Sequence, residues 1–370
     1  MTRYLMATLF AMGASLVLGG VPEDIESLKK TPERQVWDRL ASAGPEALVP
    51  ILRSWPKDDP VAANWLRTAF DQIVRRHESK LPVDDLIAFA KDFSVPGRAR
   101  RIALSAVERG MPGTTDKLLA GWLNDPEFGP DAVDRAATLA ENLPPAEAIA
   151  SLQKTFTACT DHDQVQVLAK KLTALGEKPD TLRQLGVVSN WHLVGPFPVT
   201  PEEGLLKSFP PETAIDLMAT FEGKSEKLRW QPVQVGSAEG RVDLVKANIR
   251  SNDGAVAYAV ARFRIPTAVK AELRLSAVDN ITAWVNGKKV IERSNDYRSL
   301  YRTDRYRAEI DLPAGESTLL LKLTKTRPDE GQQAAAQAGR PGGLSTRWDF
   351  QARLVEVMGK RLTFQQAEGK

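Results

Sequence analysis

The densest run of chemically useful side chains is Arg293-Ser294-Asn295-Asp296-Tyr297-Arg298-Ser299-Leu300-Tyr301-Arg302-Thr303-Asp304-Arg305. Aromatic faces stack on the apolar C–H faces of sugars, and guanidinium groups donate paired hydrogen bonds to hydroxyls, carboxylates or sulfates. Tyr297, Arg298, Tyr301 and Arg302 are therefore candidate ligand-binding residues. The plainer alternative has the tyrosines pinning a loop to the domain beneath it, with the arginines paired to local acids. Single-stranded nucleic acid uses a similar mixture, but Asp296 and Asp304 dilute the charge. Trp230, beside Pro232, and Trp284 complete the candidate set. In a two-residue Asn286-Gly287 hairpin, Trp284 faces Lys289 and Ala283 faces Val290. If Ala283, Val285 and Val290 turn inward, Trp284 stands on the outer face. There it packs against helices or a partner, or it stacks on a ligand.

Catalytic hardware is sparse. The chain has three histidines and one cysteine, so an internal disulfide and a multi-cysteine zinc or iron–sulfur site are excluded within it. No G-x-S-x-G elbow is present, and His77-Glu78 lacks the second histidine of H-E-x-x-H. Cys159 and His162 are one helical turn apart, a spacing that could activate a thiolate. The simpler reading has Cys159 ending one helix and Asp161 starting the next. Carboxylate pairs such as Asp84-Asp85 sit where helix starts normally place acids, and no pair has a glycosidase frame. Ser251-Asn252-Asp253-Gly254 and Asp279-Asn280 offer calcium-type oxygens, but turn chemistry explains both. No catalytic residue, metal ligand set or cofactor is expected.

These side chains must be held by elements readable from period and punctuation. The chain has 370 residues, which predicts more than one domain, and its formal charge of +3 is too balanced for a dedicated nucleic-acid binder. Residues 1–20 carry Arg3, then an apolar run from Tyr4 to Leu18, then small residues. That is the pattern of a secretory signal peptide, and it predicts an exported protein, periplasmic or secreted, with no membrane attachment after cleavage. The alternatives are a buried N-terminal helix and an uncleaved anchor.

Over residues 21–185 apolar side chains recur every three or four positions, as in Trp65, Ala69 and Ile73, or Leu168, Leu172 and Leu175. Pro and Gly punctuate the starts of these helices at Pro45, Pro60, Pro96, Pro130 and Pro145. About ten short helices in antiparallel pairs are expected to stack into an α-solenoid. From 186 to 358 the period becomes two. Strands are predicted at 191–194, 256–265, 272–277, 281–285, 288–291, 305–312, 318–324 and 349–355, making an antiparallel β-sandwich. Leu319, Leu321 and Leu323 match Phe350, Ala352 and Leu354 as facing core sets. The low-complexity stretch 327–347 is expected to be a mobile insertion, and 359–370 a C-terminal tail.

The phrase Pro45-Glu46-Ala47-Leu48-Val49-Pro50-Ile51-Leu52 resembles HEAT-type repeats. The second half resembles the galactose-binding-like jelly rolls, including sugar-binding domains of glycoside hydrolases and carbohydrate-binding modules. The likeness rests on Trp191-His192-Leu193-Val194-Gly195-Pro196-Phe197, on Asp279 to Val290, on Leu312 to Leu323, and on Trp348 to Leu354. It implies a multidomain chain, a HEAT-like α-solenoid followed by a jelly-roll β-sandwich. The expected function is non-catalytic recognition of a glycan or cell-envelope polysaccharide by the sandwich. The alternative is a protein–protein scaffold that binds its partner on the helical repeats. A nucleic-acid partner is not expected.

Overall fold

The computed structural model describes residues 20–200, 203, 206–223, 226–249, 254–293, 302–325 and 348–367. Residues 1–19 of the expected signal peptide at 1–20, Tyr297, Arg298, Tyr301 and the predicted insertion 327–347 lie outside the described residues. Helices come first and antiparallel sheets follow. The chain divides into two compact units, Met1–Phe128 and Gly129–Lys370. This division and the change from helix to strand near 186 fall at different places.

The first unit holds α1 (Val21–Lys30), α2 (Arg34–Ala41), α3 (Leu48–Arg53), α4 (Pro60–Arg76), α5 (Val83–Lys91), α6 (Gly97–Gly110) and α7 (Thr114–Leu119). The predicted punctuation works locally. Pro60 occupies the first turn of α4, where its missing N–H costs nothing, and Asp59 caps it by accepting from the N–H groups of Val61 and Ala62. The inward stripe of α4 is Leu66, Ala69, Phe70 and Ile73, all buried. One charged pair is buried with these apolar faces. Arg100 on α6 donates Nε to Ala90 O at 2.7 Å and Nη1 to Asp125 Oδ1 at 3.1 Å, with the Phe93 and Phe128 rings at 4.9 and 5.0 Å from its guanidinium. Asp125 also accepts from the N–H groups of Glu127 and Phe128.

The second unit begins with α8 (Gly129–Leu139), α9 (Pro145–Ala158), α10 (His162–Ala174) and α11 (Thr181–Leu185). Thirteen strands follow among the described residues: β1 (Asn190–Pro198), β2 (Thr220–Glu222), β3 (Lys227–Arg229), β4 (Gln231–Gln234), β5 (Val242–Asp243), β6 (Ala255–Ile265), β7 (Val269–Ala277), β8 (Asn280–Val285), β9 (Lys288–Arg293), β10 (Tyr306–Leu312), β11 (Gly315–Lys325), β12 (Asp349–Glu356) and β13 (Gln365–Gln366). Seven strands form one sheet, ordered β4-β1-β6-β11-β8-β9 with β13 beside β6; four form another, β10-β7-β12-β5. The facing sides share one core. Leu319, Leu321 and Leu323 meet Leu273, Leu275, Phe350 and Leu354 there, as alternation requires. The Trp191 ring of the larger sheet lies edge-on to Phe350 of the smaller, 5.0 Å between centroids.

Asn286 and Gly287 both have positive φ, 50° and 79°, which a type I′ hairpin requires. The turn sets Trp284 opposite Lys289 as expected, but the ladder then shifts register so that Ala283 faces Ile291, not Val290. The irregularity at Val290 lets Ile291 take the core-facing position.

The outer face of the four-stranded sheet carries buried polar side chains. Arg353 donates Nε to Leu185 O at 2.8 Å and Nη1 to Asp304 Oδ2 at 2.8 Å. Arg274 reaches the same Oδ2 at 3.3 Å and pairs with Glu272 at 2.7 Å. Burial pulls the Arg353 guanidinium below its ordinary value, and Asp304 opposes the shift. Leu354 N–H donates to Gly186 O, Gln184 donates its amide to the carbonyls of Thr157 and Cys159, and Gln166 donates to Ala238 O. Helices 129–185 and the sheets are thus joined by main-chain acceptors. Among the described residues no helix is long and apolar enough to cross a membrane.

Candidate functional site

The outer face of the seven-stranded sheet is the strongest candidate surface, because it is the only place where two of the six predicted residues meet among those described. Its rows follow from the registers. Lys289, Trp284, Leu320, Val260, His192 and Pro232 lie side by side across six strands. The next row places Thr282, Lys322, Tyr258 and Val194 together.

Part of this face is covered by the chain between β1 and β4. Phe209, Phe221, Leu228 and Trp230 pack on Val194, Phe197, Val256, Tyr258, Val260 and Leu320. The Phe197 ring is 4.7 Å from Phe209 and 5.7 Å from Tyr258. The cover is fixed by a buried polar cluster. Lys322 Nζ donates to Glu212 Oε1 at 2.9 Å and to Lys207 O at 2.6 Å, and the Tyr258 hydroxyl donates to the same Glu212 oxygen. Burial pushes the Glu212 carboxyl up, but the hydrogen bonds from Tyr258 and Lys322 outweigh it and hold the group below the usual carboxylate range. Burial, and then Glu212 itself, push the Tyr258 hydroxyl well above its ordinary value.

Trp230 is therefore not an open stacking residue in a loop. It sits in the turn between β3 and β4, where the chain folds back over the sheet, and it is buried with its indole N–H unpartnered. Trp284 stands on the outer face as its ladder position dictates. It is half-buried, packing one side on this aromatic layer and leaving the rest open. Beside it, Thr318 faces Arg262 across the β11–β6 ladder, and Arg262 is exposed. Lys289 pairs with Glu292 at 2.6 Å. An indole edge, a hydroxyl and two cationic donors on a flat sheet can hold a polar ligand with an apolar face. Arg262 and Thr318 are not among the six candidates drawn from the sequence, although parity with Val260 and Leu320 puts them on this face.

Arg302 is exposed and lies in the run that enters β10, on the other sheet. Two residues on, Asp304 adopts φ 53° and anchors that run on Arg274 and Arg353. The remaining candidates in this loop, Tyr297, Arg298 and Tyr301, lie outside the described residues.

Cys159 is the C-cap of α9, and Asp161 caps α10 by accepting from Asp163 and Gln164 N–H. Burial pushes the thiol up to about 12, far from thiolate chemistry at neutral pH. The native protein should therefore give no thiolate release with a disulfide reagent at about pH 8, where an ordinary cysteine reacts. The unfolded chain should give the full equivalent of its one cysteine.

No protein-family model and no curated protein matches the chain. Among solved structures, a β-glucosidase from Kluyveromyces marxianus in complex with glucose is 8% identical at a TM-score of 0.27, covering 45% of this chain and 16% of that one. A selenomethionine-labelled form of the enzyme is 9% identical at 0.28, covering 83% and 37%. A GH31 α-xylosidase from Xanthomonas citri is 13% identical at 0.22, covering 39% and 16%. The chain spans well under half the length of each. Likenesses this slight say nothing about activity.

Proposed function

We propose that this is an exported, non-catalytic glycan-binding protein, built from HEAT-like helical repeats and a jelly-roll sandwich of the galactose-binding kind. The sandwich holds its sugar on the open part of the seven-stranded sheet. The observation that supports this reading is Trp284, half-open on the sheet face between Lys289 and Leu320, with Arg262 one row away. The indole covers the C–H face of a pyranose, and Arg262, Lys289 and Thr318 serve its hydroxyls. Tyr297, Arg298, Tyr301 and Arg302 remain proposed as further contacts on the chemistry of their side chains.

Binding of the full chain to a glycan array, beside Trp284→Ala, tests this. The parent should bind at least one glycan, and the variant should lose roughly tenfold or more, as truncation of a stacking aromatic does. Equal binding by both would reject the face. A protein–protein scaffold is the second reading, supported by Val61 and Phe93, which are 59% and 64% exposed on the helical unit. A folded protein that binds no neutral or acidic glycan would favour it.

A further inference from the structure

The first unit holds a cavity of about 500 Å³, within the range of small-ligand sites and distant in sequence from the sheet-face residues. It lies between the connection from α3 to α4 and the connection from α5 to α6, two loops about forty residues apart in the chain. Its walls are Trp55 with Pro56, Pro60 and Pro96, which offer C–H surface and no main-chain N–H from the three prolines.

Four charged residues also line it: Lys57, Asp58, Asp59 and Arg98. Lys57, Asp58 and Arg98 are exposed and make no ion pair or side-chain hydrogen bond with any described residue. Opposite charges around one cavity that leave each other unpaired differ from the neighbouring acid. Asp59 is committed to capping α4. Trp55, 7% exposed, adds an aromatic wall to the cavity.

The sign pattern selects the ligand class. A simple anion would meet Asp58, and a simple cation would meet Lys57 and Arg98. A polyol suits both, because each hydroxyl donates to a carboxylate and accepts from N–H groups. We infer that the cavity bounded by Trp55 and Arg98 is a second saccharide site, of disaccharide size, on the helical unit. It is independent of the sheet face and stands whether or not Trp284 binds sugar.

The test uses the full ¹⁵N-labelled chain and the indole N–H resonance of Trp55, assigned by its loss in Trp55→Phe. Maltose, cellobiose, lactose and di-N-acetylchitobiose are titrated separately, with glycylglycine as a zwitterionic comparison. At least one disaccharide should move that resonance saturably. Asp58→Ala and Arg98→Ala, both in exposed positions, should each weaken that binding about tenfold, the effect of losing a charge-assisted hydrogen bond. Their melting temperatures should match the parent's, and Trp284→Ala should leave the titration unchanged. The proposal is overturned if no disaccharide moves the resonance. It also fails if both variants bind as the parent does, or if glycylglycine alone binds.

Discussion

Replacement of Asp304 by alanine is expected to destabilise the second unit by roughly 3–5 kcal/mol, the usual effect of removing one partner from a buried ionic cluster. Asp304 Oδ2 is shared by Arg274 and Arg353, whose side chains are 10% and 1% exposed. Without it Arg353 keeps only Leu185 O among the described residues, and Arg274 keeps Glu272. Two guanidinium groups then stay desolvated with one carboxylate between them. Part of the effect has another source, because Asp304 sits at φ 53°, where alanine is strained and asparagine is tolerated. Asp304→Asn keeps the conformation and an acceptor oxygen while removing the charge, so it should lose less. Denaturant unfolding of parent and both variants separates the contributions. A loss below about 1 kcal/mol in Asp304→Ala would place the arginines in contact with water, contrary to their burial.

The first unit has a comparable weak point in Asp125. Asp125→Ala should also cost about 3–5 kcal/mol, because it strands Arg100 among the rings of Phe93 and Phe128 and frees two main-chain N–H groups. The pH dependence has a definite sign. Burial, the largest single influence, pushes the Asp125 carboxyl up. Hydrogen bonds from Arg100 and from the N–H groups of Phe128 and Glu127 outweigh it and hold the group below the ordinary aspartate value. A depressed folded value means that the stabilisation is complete above the unfolded value near pH 4 and is lost as pH falls through the folded one. Thermal melts of the parent should therefore fall below about pH 4, and Asp125→Asn should show a shallower decline. Parallel pH profiles for the two would remove Asp125 from the acid response.

Much of the strand framework was legible because alternation and turn chemistry agree. Asn286-Gly287 announced its hairpin, and the predicted facing sets of Leu319, Leu321, Leu323 and Phe350, Ala352, Leu354 form the shared core. The outward placement of Trp284 followed from the same parity. What covers the sheet was not legible. β2 and β3 have three residues each, too few to show a period, so the chain that buries Trp230 read as loop. Arg353 and Arg274 alternate with core residues and so read as solvent-facing. Acceptors far off in sequence, at Leu185 and Asp304, make their burial tolerable. Arg100 and Asp125 are likewise joined across 25 residues with no local signal. The candidate stretch at 293–305 was readable only as composition, and Asp304, which has a clear structural task, was counted as a diluting charge.

The bonds that cross from helices to sheets also bear on how this gene could be rearranged. Secondary structure changes type near 186, which looks like a natural joint for shuffling. A recombination break there would separate Arg353 from Leu185 O, Leu354 from Gly186 O and Gln166 from Ala238 O. The transplanted sheets would carry a desolvated guanidinium whose main-chain acceptor stayed behind in the donor gene. A break near 129, inside the run of helices, would carry all of these partners along. The heritable cassette therefore includes the helices that hold these acceptors, and it begins more than fifty residues upstream of the first long strand.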